Sequence, residues 1–113
     1  MGMDVWGKNP SGEAGEYFRA NVWTWHPIAE YIEECAPSIY RECEYWHSND
    51  GDGLNEVDSL SLAAVLRDEL RSGRAAHHAR TCASRHARPY SFTVEMVEEF
   101  ANFLSECGGF EIC

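Results

Sequence analysis

The chain has 113 residues, 44% apolar content and a formal charge of −10, which is the length of one domain with material for a single modest core. That charge argues against duplex nucleic acid, whose phosphates need clustered Lys and Arg, and against anionic membranes; no apolar run approaches membrane-spanning length. Four Trp, five Tyr and five Phe must dominate the core of so short a chain or leave an exposed aromatic patch.

Met1 to Val5 alternates apolar residues and reads as a short strand, followed by a loop from Gly7 to Gly12 on its Gly, Asn and Pro content. Residues 16–35 are aromatic and mixed. Pro27 suits the first turn of a helix that spaces Ile28, Tyr31, Ile32 and Cys35 along one face. Pro37 opens a further turn or short helix carrying Ile39, Tyr40 and Cys43. Asn55 reads as an N-cap, with Asp58 placed to reach back. Leu60, Leu62, Ala63, Val65, Leu66 and Leu70 then give a broad apolar helix face that Gly73 stops. An alanine-rich helix is expected from Arg74 to Arg88, before Pro89. Thr93 caps a last helix with Val97, Phe100, Ala101, Leu104 and Cys107 on one face, ended by Gly108 and Gly109. Phe110 to Cys113 reads as a strand that pairs with Met1 to Val5. The expected fold is therefore α+β: a mainly helical single domain over residues 1–113, with a small sheet formed by the N- and C-terminal segments.

Five cysteines (Cys35, Cys43, Cys82, Cys107, Cys113) form no CxxC pair, and no signal-peptide pattern opens the chain. Reduced thiols and a cytoplasmic location are expected. Charge is uneven: residues 67–88 sum to +4, leaving −14 elsewhere, and Lys8 is the one lysine.

The densest set of polar groups is His47-Ser48-Asn49-Asp50-Gly51-Asp52-Gly53-Leu54. With Ser48 as first position, Asp50, Asp52 and Gly53 fall at the third, fifth and sixth positions of an EF-hand calcium loop, where alternate oxygens converge on one hard cation. The match breaks at the first position, at Asn55, and at the twelfth, where Ser59 replaces the bidentate Glu. A divalent cation on Asp50 and Asp52 is expected to bind weakly, against the plainer reading of a turn that enters a capped helix. Trp46 and His47 adjoin this loop and join it into one candidate site.

Three other clusters carry weaker signals. His78, Cys82 and His86 share a helix face, but they span about 12 Å by helical rise, too far for both histidines to hold one ion. Trp23 and Trp25 splay in either helix or strand, and one of them could stack a ligand. Arg67, Arg71 and Arg74 follow one helix face, a dock for an acidic partner or for a second copy of the chain, or else a solvated face paired with carboxylates. No phosphate loop, nucleophile elbow or HExxH sequence is present, and no Cys–His pair is marked as activated.

Three separated stretches carry a likeness: the opening MGMDVWGKNP, the central YWHSNDGDGL and the closing GGFEIC. Together they resemble a family of small bacterial and phage proteins of uncharacterised activity, over nearly the whole chain. The resemblance implies no activity. The expectation from the residues is a small cytosolic binding or accessory domain, acting by protein or small-molecule contacts through Trp46, His47, Asn49, Asp50, Asp52, Arg67, Arg71 and Arg74. No cofactor is expected beyond a weakly held cation, and self-association through the arginine stripe is a candidate. The alternatives are a divalent-metal-dependent domain and a small hydrolase or transferase using the same loop.

Overall fold

In the first strand, β1 (Gly2–Gly7), Met3 and Val5 point inward and Trp6 outward, the period-2 pattern of a sheet with one packed face. The computed structural model describes residues 2–48, 51–85 and 92–113, the side chains of residues 82–85 excepted. β1 lies at the centre of an antiparallel sheet, between β2 (Tyr17–Asn21) and β3 (Phe110–Ile112). The two ends of the chain thus meet as expected, with Val5 opposite Ile112, Trp6 opposite Glu111 and Gly7 opposite Phe110. β2 is an addition to the sequence reading: Tyr17 pairs with Trp6 and Arg19 with Asp4 on the outer face, while Phe18 and Ala20 turn inward. A 3-10 turn, Glu13–Gly15, links β1 to β2.

The first helix corrects another expectation. α1 (Val22–Cys35) starts five residues before Pro27, and Pro27 lies inside it. Asn21 is its N-cap, accepting a hydrogen bond from Thr24 N–H at 3.0 Å. Pro27 brings no N–H, so it donates no helical hydrogen bond within α1. α2 (Pro37–Tyr40) opens on Pro37 as read. α3 (Glu56–Ser72) is capped by Asn55, which accepts from Asp58 N–H at 2.8 Å, and it ends at Gly73 with φ of 86°, a left-handed value that suits glycine. α4 (Arg74–Arg85) follows at once, and its expected continuation to Arg88 lies outside the described residues. α5 (Val94–Glu106) is capped by Thr93, and Val97, Phe100, Ala101, Leu104 and Cys107 are all buried as the spacing requires.

The helices cover the inner face of the sheet, with α3 and α5 packed closely on each other. An aromatic chain runs through the core: Phe18 on Phe100, Phe100 on Trp25, Trp25 on Trp46 and Trp46 on Phe110, with ring centroids 5.0–6.1 Å apart. Each such ring contributes about 1.5–3 kcal/mol on full burial, so these five rings account for much of the apolar driving force. Leu60 corrects the apolar face read for α3, because it stands half-exposed while Leu62, Ala63 and Leu66 are buried. The four described thiols, Cys35, Cys43, Cys107 and Cys113, are free. Among the described residues no helix is long and apolar enough to cross a membrane.

Candidate binding surface around the acidic loop

The loop that precedes α3 is fastened to the far end of the chain. Gly51 N–H donates to Ile112 C=O, Ile112 N–H to Asp52 C=O and Phe110 N–H to Leu54 C=O, at 2.8–2.9 Å. Residues 51–54 therefore run along the outer edge of β3 and satisfy backbone groups that would otherwise face water. The approach is so close that a Cβ on Gly53 would lie 1.8 Å from Phe110 O. Lys8 N–H donates to Gly109 C=O at 2.8 Å and Asn9 N–H to Cys107 C=O at 3.0 Å, so the opening stretch joins the same place. Residues 8–9 and 51–54 thus meet the closing segment around β3.

Asp52 is the staple of this loop. Its Oδ2 accepts from Glu44 N–H at 2.8 Å and Tyr45 N–H at 2.9 Å, and its Oδ1 from Gly53 N–H at 2.9 Å. Partial burial works against the charged carboxylate, but these three donors outweigh it, and Lys8 adds to them, so the Asp52 pKa falls below the usual value. Both oxygens thus already have partners. Ser59, at the twelfth EF-hand position, is fully buried beside the Cys107 thiol and is not turned toward the loop. The geometry here is that of a tied turn entering a capped helix. Asn49 and Asp50, which the sequence places beside Asp52, lie outside the described residues.

Trp46 and His47 part company. Trp46 is a core residue at 1% exposure, stacked on Tyr40 at 5.3 Å, and its Nε1–H donates to Tyr40 C=O at 2.8 Å. Its expected place on a binding surface is corrected accordingly: the ring packs the interior, and Trp46 C=O accepts from Trp25 Nε1–H at 2.6 Å. His47 is exposed and meets His26 of α1, Nδ1 to Nδ1 at 2.5 Å. On the same two segments Trp23 and Tyr45 stand about half exposed, at 50% and 53%. Trp23 precedes His26 by one helical turn, and Tyr45 lies two residues before His47. The surface beside the acidic loop is therefore made of Trp23, His26, Tyr45 and His47. Of these the sequence singles out Trp23 and His47 but gives no contact between the two segments, which depends on the turn at residues 45–48 folding back over α1.

The arginine stripe divides. Arg67 reaches α5, donating to Asn102 Oδ1 at 3.3 Å and Ser105 Oγ at 3.2 Å. Arg74 turns back to Glu69 Oε2 at 2.6 Å and Asp68 Oδ2 at 2.8 Å. Arg71 stays exposed. The three do not present a common row of guanidinium groups. Arg74 instead belongs to an open cleft of about 420 Å³ whose lining includes Tyr31, Glu69, His77 and His78. Glu69 is buried there and accepts from the Tyr31 hydroxyl. Burial first, and then the Glu69 carboxylate, push the Tyr31 pKa well above its usual value. His78 packs between Tyr31 and Phe92 at 4.6 Å from each ring. Its candidate co-ligands, the Cys82 side chain and His86, lie outside the described residues.

Three of the described thiols, Cys35, Cys43 and Cys107, are poor nucleophiles. Burial pushes Cys35 and Cys43 up to about 12, with Glu69 and Asp52 respectively acting in the same direction, and burial also raises Cys107. Among the described residues no group of three or more His, Cys, Asp or Glu is placed to hold a metal ion. The chain matches no protein-family model, no curated protein and no solved structure.

Proposed function

We propose that this protein is a small cytosolic accessory domain that binds a protein partner through the surface beside the acidic loop. The observation that carries the reading is the pair of half-exposed aromatics, Trp23 and Tyr45, flanking the His26–His47 contact on a rigid base. Large aromatics left at a surface are the residues that anchor protein interfaces, because they bury much area with few rotatable bonds. The base is rigid because Trp25 and Trp46, the neighbours of these residues in sequence, are locked in the core.

Charge sets the kind of partner. Residues 30–58 hold nine carboxylates against Arg41 alone, so the complementary surface is basic with exposed apolar groups. The raised thiol pKa values favour recognition over cysteine chemistry. A photo-reactive amino acid in place of Tyr45 tests this in the native host. Adducts with one defined protein are expected, lost in a Trp23→Ala background and weakened as salt rises. Equal labelling from the Trp6 position on the outer sheet face, or adducts indifferent to Trp23→Ala, would overturn the reading.

A further inference from the structure

We propose that His26 and His47 form a two-imidazole site for a borderline divalent transition-metal ion of the zinc or nickel class, with water completing the coordination shell. The two Nδ1 atoms face each other at 2.5 Å, one from the second turn of α1 and the other from the turn at residues 45–48, with ring centroids 4.6 Å apart. Two nitrogens aimed at one point can share a single proton, or each can give its lone pair to one cation. A tetrahedral ion with Zn–N bonds of about 2.0–2.1 Å needs its nitrogens roughly 3.3 Å apart. The rings must therefore separate by less than about 1 Å to admit it. His47 is exposed and sits on a turn, so it can make that movement while His26 stays fixed by its helix.

The donor type selects the metal. Imidazole suits zinc, nickel and copper, whereas calcium and magnesium take oxygen ligands. Burial, followed by the nearby His47, lowers the His26 pKa, with Glu30 acting against them. Glu30, one turn further along α1, and the acidic loop supply a negative field that favours a cation. This inference needs no partner protein, and its failure leaves the docking surface untouched.

Nickel(II) is the probe, because it prefers nitrogen, does not oxidise thiols as copper(II) does, and broadens the resonances of nearby nuclei. It is titrated into the full chain with isotopically labelled histidine while ring signals are followed by NMR. The His26 and His47 signals are expected to broaden first, below one equivalent. Either His26→Gln or His47→Gln should weaken binding about 100-fold, since the second ligand acts intramolecularly. Excess calcium should not displace the nickel. Broadening that starts at His77 or His78, or affinity unchanged in both variants, would show that the Nδ1 contact is a hydrogen bond only. The map from the unsubstituted protein decides the matter even if a variant fails to fold.

Discussion

Glu69 occupies the turn of α3 that follows Leu62 and Leu66, so its carboxylate enters the packed side of the helix. A carboxylate there needs partners, and it has the Tyr31 hydroxyl and Arg74 Nε. The sequence carries a signal for that position, a Glu at an apolar spacing of the helix. The spacing of Arg67, Arg71 and Arg74 offers carboxylate pairing as one alternative for the whole stripe, which Arg74 takes, but does not single out Glu69 as its buried partner. Tyr31→Phe is expected to lower unfolding stability by about 2 kcal/mol, the worth of a hydrogen bond to a charged group, as read by urea denaturation. Arg74→Ala should matter less, because its guanidinium stands largely in water. No loss in Tyr31→Phe would mean that Tyr31 acts by packing alone, and equal losses that the Arg74 pair contributes as much as the Tyr31 hydroxyl.

Asp52 yields a pH prediction at the same scale. Its folded pKa lies below the unfolded value of about 3.9, so its stabilising contribution is complete above that pH and disappears as pH falls through the folded pKa. Asp4, beside Tyr17 and Arg19, shifts in the same direction, so acid sensitivity alone does not identify Asp52. The comparison with Asp52→Asn does. The stability difference between the two proteins should be flat above about pH 5 and shrink below pH 4. A difference that persists unchanged at pH 2 would show that the side chain acts through shape and not through charge.

Among elements, the caps and long amphipathic helices were the most legible. Asn55 and Thr93 cap where the sequence puts them, and the α5 spacing gives its buried face. β2 was not legible because its five residues hold two inward side chains, Phe18 and the small Ala20, while Tyr17 places an aromatic on the outer face, where it stacks on Trp6 at 4.4 Å. The alternation that marks a strand is thereby masked. The start of α1 was missed because proline is at home in a first turn, and Asn21, the actual cap, precedes an aromatic run with no clear period. The glycines of the acidic loop were read as turn or ion-site glycines. Gly53 is required instead by the passage of Phe110 O. Gly53→Ala should therefore cost more than Gly51→Ala, about 1–3 kcal/mol for forced separation of two backbones. Gly51, at φ 92° with open space around it, should lose only the strain of a left-handed residue, about 1 kcal/mol. Thermal unfolding of the two variants checks the order; a Gly53→Ala protein that melts with the wild type would mean the loop is not held against β3 in solution.

At the scale of the whole molecule, the last four residues close three structures at once. Phe110 and Ile112 are fully buried, β3 completes the sheet beside β1, and the acidic loop is hydrogen-bonded along the other edge of β3. The pairing of chain ends was legible from two short apolar segments outside a helical middle, but the loop's share in it depends on carbonyl positions that no residue pattern encodes. Removing a buried Phe costs about 3–5 kcal/mol and a buried Ile about 2–5 kcal/mol. Their sum approaches the roughly 5–15 kcal/mol that holds a typical domain together. A chain ending at Gly109 is therefore expected to lose cooperative unfolding and the dispersed amide signals of a folded protein, while removal of Cys113 alone, whose N–H donates to Asp4 C=O at 2.7 Å, should leave both intact. Circular dichroism melts and proton–nitrogen NMR spectra of the two truncations distinguish these outcomes. A cooperative melt in the chain ending at Gly109 would show that the helices form a self-sufficient core, and that the sheet and its attached loop are an appendage to it.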